Sequence, residues 1–108
     1  MTDMTQLPVA CTLNEPEVAE RRAGFFADLA RRRQETRSLA EGITLRYSSE
    51  QGTLALLGEF IQLESQCCPF LRFRLTVEPG GGPIRLELTG PPGTREFLAH
   101  EIGDPGIV

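Results

Sequence analysis

Three of the 108 residues are cysteines, Cys11, Cys67 and Cys68, and two of them are adjacent, ahead of Pro69. A vicinal pair is a poor partner for itself, because disulfide geometry favours Cα separations longer than the 3.8 Å of one peptide step. Two neighbouring thiolates suit a soft, thiophilic metal far better. Glu64 lies three residues before Cys67 and four before Cys68, so on a helix it shares their side and is placed to act as a ligand or a base. A site of three sulfurs fits As(III), Hg(II) or Cu(I). Zinc wants a fourth ligand, for which Glu64 or His100, the one histidine, is the candidate. The cysteines do not follow the spaced Cys and His pattern of a structural zinc finger. Free cysteines are also common as small core residues, which is the competing structural reading.

Thiol reactivity has arguments on both sides. The negative end of a helix disfavours a thiolate, whereas Arg72 and Arg74 nearby favour one. His100, beside Glu96 and Glu101, reads as a surface residue. Arg31-Arg32-Arg33 reads as a solvated helix end, and Gly80-Gly81-Gly82 joins two strands rather than opening a helix, so it is a turn and not a phosphate cradle.

The elements that must position these residues follow from periodicity. Leu7, Val9, Cys11 and Leu13 alternate as one face of a strand, an edge strand because of Pro8. Asn14, with Glu17 three residues on, caps a helix carrying Val18, Phe25 and Leu29 that runs to the arginine triplet. Gln34 to Gly42 reads as a polar connection, and Ile43, Leu45 and Tyr47 form a half-buried strand. Ser48 or Ser49 then caps a second helix with Leu56, Phe60, Leu63 and Cys67 on its buried stripe. Pro69 ends that helix at the vicinal cysteines. Leu71, Phe73, Leu75 and Val77 alternate with Arg72, Arg74, Thr76 and Glu78; after Pro79-Gly80-Gly81-Gly82-Pro83, Ile84, Leu86 and Leu88 answer as the second arm of a hairpin. A short helix over about 94–102 carries Phe97, Leu98 and Ile102.

The expected order is therefore β-α-β-α-β-β-α in one domain over 1–108. It predicts an α+β two-layer sandwich, a mostly antiparallel sheet with helices on one face. Cys11, on the inner face of the first strand, and Cys67, at the end of the second helix, then point into the same layer.

Composition narrows the function. Hydrophobic residues make up 40% and charged residues 24%, as in an ordinary globular protein. A net charge of −4 gives no field favouring nucleic acid or an anionic membrane. Every basic residue is Arg, which excludes a Schiff-base or Walker lysine. No apolar run approaches about 18 residues and the first six residues lack the regions of a signal peptide, so a cytoplasmic protein is expected. In a reducing compartment an odd cysteine count argues against a disulfide framework.

Ala10-Cys11-Thr12-Leu13, Glu64-Ser65-Gln66-Cys67-Cys68-Pro69-Phe70-Leu71-Arg72-Phe73, and the tail from Glu78-Pro79-Gly80-Gly81-Gly82-Pro83 through Leu88-Thr89-Gly90-Pro91 to Glu96-Phe97-Leu98 together resemble a family of small bacterial proteins built around a Glu-x-x-Cys-Cys-Pro-Phe core. The resemblance covers nearly the whole chain. It implies that Cys11, Glu64, Cys67 and Cys68 match the family pattern position by position, and it carries no activity with it.

Three functions are compatible with these residues. The first is a metal-binding protein that holds a soft ion (Hg, As, Cu or Zn) through Cys11, Cys67 and Cys68, with Glu64 as base or extra ligand. The second is a thiol-dependent redox enzyme or transferase with Cys67 or Cys68 as nucleophile and Cys11 resolving. The third is an interaction module, a homodimer through the Leu7 edge strand, with inert buried cysteines.

Overall fold

The computed structural model describes residues 16–102, except for the side chains of some α1 residues and of Ile102. The elements are α1 (Pro16–Arg32), β1 (Arg33–Leu39), β2 (Gly42–Tyr47), α2 (Thr53–Cys67), β3 (Arg72–Val77), β4 (Ile84–Thr89) and α3 (Thr94–Ile102). The α+β class is as expected: the strands form one antiparallel sheet in the order β1-β2-β4-β3. The strand expected over 7–13 and the cap at Asn14 lie outside the described residues.

Two hairpins, β1–β2 and β3–β4, are joined side by side through β2 and β4. Period two in both central strands turns Ile43, Leu45 and Tyr47 inward to meet Leu88, Leu86 and Ile84 directly across the ladder. All six are buried, each fully buried aliphatic side chain contributing about 1.5–3 kcal/mol. Phe73, Leu75 and Val77 of β3 extend the same rows across β4. At this outer strand the cover runs out: Leu75 and Val77 are 39% and 54% exposed.

The helical layer contributes Leu29 of α1, Leu57, Phe60 and Leu63 of α2 and Leu98 and Ala99 of α3. On α2 the stripe is rotated slightly from expectation, with Leu57 fully buried and Leu56 only partly so.

Two local expectations are corrected. Gln34 to Gly42 is not a connection, because β1 occupies most of it. Its sequence, RQETRSL, lacks apolar alternation because it is an edge strand. Its backbone pairs with β2, and Glu35 lies 2.7 Å from Arg37 and 3.1 Å from Arg46 on the outer face of the sheet. Nor does Ser48 or Ser49 cap α2. The cap position is Gly52, with φ +93°, a left-handed conformation that glycine adopts without a Cβ penalty, and no side chain caps the helix there. The start of α2 is instead tied to the end of α1: Arg32 Nη1 donates to Thr53 Oγ1 at 2.9 Å and to the Gln51 carbonyl at 3.2 Å.

Candidate metal centre

α2 ends where Pro69 requires it to end. The residue before a proline is driven out of the helical region, and Cys68 sits at φ −128°, ψ 74°. Its backbone N–H still closes the last turn by donating to the Glu64 carbonyl at 2.7 Å, and Leu71 N donates to the Cys68 carbonyl at 3.1 Å. The chain thus folds tightly around Cys68 before entering β3.

The consequence is a small cluster separate from the main core. Cys67, Cys68 and Phe70 are 0%, 1% and 7% exposed, with Leu71 and Phe97 packed against them. Phe70 and Phe97 meet edge to face, ring centroids 5.2 Å apart at 82°, so α3 holds the Cys-Cys-Pro-Phe turn against the end of α2. Gly90 makes room for this. A Cβ there would lie 2.6 Å from Thr94 Oγ1 and 3.1 Å from the Phe70 carbonyl, so only glycine lets the strand end pass so close.

Glu64 belongs to the same buried group, at 2% exposure. Cys68 Sγ donates to its Oε2 at 3.5 Å. One donor atom from each of Glu64, Cys67 and Cys68 lies within 4.8 Å of the others, and all three residues are buried. The predicted juxtaposition of Glu64 with the vicinal pair is therefore present. Two sulfurs and a carboxylate, gathered in a low-dielectric site, are the donor set of a thiophilic ion.

No family model, curated protein or solved structure matches this chain.

The remaining sequence candidates fall out differently. Cys11 lies outside the described residues. His100 is exposed in the last turn of α3 and, among the described residues, is not part of the cluster. Arg72 and Arg74 are both exposed, and Arg74 faces Glu87 on β4 at 3.7 Å on the outer side of the sheet. The glycine segment is a turn, closed by Gly82 N donating to the Pro79 carbonyl at 3.2 Å.

Cys67 is disulfide-bonded, where the odd cysteine count had argued against a disulfide framework. Cys68, in contrast, is a thiol. Parity of the count rules out pairing all the cysteines but says nothing about one pair. The aromatic contact of Phe70 with Phe97 was also missed. Among the described residues, no helix is long and apolar enough to cross a membrane.

Proposed function

We propose that this protein binds a soft metal ion through the thiolates of Cys67 and Cys68, with the Glu64 carboxylate as a further ligand or as the base that takes a thiol proton. The observation that carries this reading is the convergence of three buried donor atoms within 4.8 Å. Thiolate is the metal-binding form of cysteine, so the ion is taken up by the chain with Cys67 reduced. Cys11 is the third sulfur in this proposal, giving the trigonal set that As(III), Hg(II) or Cu(I) accepts. Zn(II) would use Glu64 as its fourth ligand.

A second reading, a thiol redox enzyme, draws support from the disulfide at Cys67 next to the Cys68 thiol. In that role the carboxylate at 3.5 Å would accept the Cys68 proton.

The test is native mass spectrometry of the reduced chain titrated with Hg(II), As(III), Cu(I) and Zn(II), beside Cys67→Ser and Cys68→Ser. One tightly held ion per chain, lost in both variants, supports the metal reading. Absence of uptake, together with a single fast-reacting thiol that oxidises reversibly, favours the enzyme.

A further inference from the structure

The face of the sheet turned away from the helices carries a second cluster, one that the proposed metal centre does not use. Period two places Arg37 of β1, Arg46 of β2, Arg72 and Arg74 of β3 and Arg85 of β4 on it, against two carboxylates, Glu35 and Glu87. The chain as a whole has a net charge of −4, so positive charge is gathered on one face of an acidic protein. That face is open. Arg37, Arg72, Arg74 and Arg85 are exposed, and Glu35, Thr44, Arg46 and Glu87 are half-buried.

Within the face the charges are unevenly matched. Glu87 answers Arg74 at 3.7 Å, and Glu35 lies 2.7 Å from Arg37 Nη2 and 3.1 Å from Arg46 Nη1. Among the described residues, no carboxylate forms an ion pair with Arg85. It stands directly opposite Arg46 across the β2–β4 ladder, where like charges destabilise the pairing. Arg46 Nε has no hydrogen-bond partner. One carboxylate therefore serves three guanidinium groups around a shallow depression lined by Glu35, Arg37, Thr44, Arg46 and Arg85. The hydrogen bond from Arg37, with the charges of Arg37, Arg46 and Arg85, holds the Glu35 carboxyl below its ordinary range against the opposing effect of burial.

We propose that this depression binds a phosphate-class oxyanion, a phosphate monoester or a diphosphate, through Arg46 and Arg85 with Arg37 beside them. Guanidinium groups present forked N–H donors that match phosphate oxygens, and a bound dianion offsets the repulsion between Arg46 and Arg85. The Thr44 hydroxyl, in the same lining, is a further donor. The face does not suit a nucleic acid. Its outward positions on the four strands hold no aromatic ring on which a base could stack, and Glu35 and Glu87 interrupt the positive row that a phosphate backbone would follow. Glu35 stays in place beside the bound anion and weakens its hold by repulsion.

The experiment is an NMR titration of the full, nitrogen-labelled chain with pyrophosphate, at an ionic strength held constant with chloride. The expected result is a saturable shift of backbone amides around Arg46 and Arg85. Arg85→Gln should weaken binding by about tenfold or more, because a charge-assisted bond is lost. Glu35→Gln should tighten it by about two- to fivefold, the scale of one exposed charge. Arg95→Gln removes the same charge from α3, on the other side of the sheet, and should change affinity by less than about twofold. Amide spectra of the variants away from the face show that each is folded. Shifts that never saturate, or equal losses in Arg85→Gln and Arg95→Gln, overturn the site and leave general charge screening. Tighter binding of an oligo-aspartate peptide than of pyrophosphate at the same amides overturns the phosphate assignment in favour of an acidic polypeptide.

Discussion

Cys68 is held to Glu64 twice: its backbone N–H donates to the Glu64 carbonyl at 2.7 Å and its Sγ to the Glu64 carboxylate at 3.5 Å. Both bonds follow from one fact of sequence, the proline at 69. It stops the helix at Cys67 and turns Cys68 back over the last turn. The carboxylate is thereby fixed beside the sulfurs.

Glu64→Gln keeps the volume and an acceptor oxygen but removes the carboxylate. Its stability to urea should stay within about 1 kcal/mol of the parent, since the Cys68 bond survives as a neutral one. Its affinity for the bound ion should fall by about ten- to a hundredfold, as it does when a supporting carboxylate is lost from a metal centre. Unchanged affinity would remove Glu64 from the site.

Uptake of Zn(II), which enters as a cation, should release protons from the reduced chain, about one per thiol engaged. Affinity should therefore fall as pH drops below the ordinary thiol range near 8.5, because protons compete for the sulfurs. Calorimetry in two buffers of different ionisation enthalpy counts the protons. A count of zero is incompatible with thiolate ligation by cysteines that are thiols beforehand.

The turn that holds the cysteines depends on α3. Phe70→Ala removes a ring that is 7% exposed and packed edge to face on Phe97, and should cost about 3–5 kcal/mol. Gly90→Ala pushes a methyl toward Thr94 Oγ1 and the Phe70 carbonyl and should cost about 1–3 kcal/mol. Both are read from urea unfolding of the reduced chain. A neutral Gly90→Ala would mean that the strand end shifts freely beneath Phe70.

Much of this arrangement was legible beforehand. Alternation in Ile43-Leu45-Tyr47 and Ile84-Leu86-Leu88 marked the two central strands because each buries one face only, and Pro69 marked the end of α2. The edge strand β1 was not legible, since its place is set by backbone pairing to β2 and its sequence carries no apolar row, with Glu35 and Arg37 on the charged outer face. At the site, helical spacing was enough to join Glu64 to the cysteines. The contact of Phe70 with Phe97 depends on how α3 crosses the sheet, which periodicity does not encode.

Burial raises the Tyr47 hydroxyl to about 12, opposed only in part by Arg33. The folded chain thus keeps that proton while the unfolded chain, near 10, has lost it. Tyr47 contributes stability that is fully present below about pH 10 and is lost as pH rises toward 12, amounting to about 2–3 kcal/mol. Urea midpoints from pH 9 to 12 should decline steeply for the parent and less for Tyr47→Phe. Parallel curves would show that the hydroxyl titrates as freely in the fold as outside it.

The central claim is that sulfur atoms of the vicinal pair hold the ion, and X-ray absorption at the arsenic edge of the reduced, arsenite-loaded chain tests it most directly. The account predicts a first shell of sulfur neighbours, two or three per arsenic, which disappears in Cys67→Ser. A shell made of oxygen alone would contradict it and leave Glu64, Cys67 and Cys68 as packing residues of the turn.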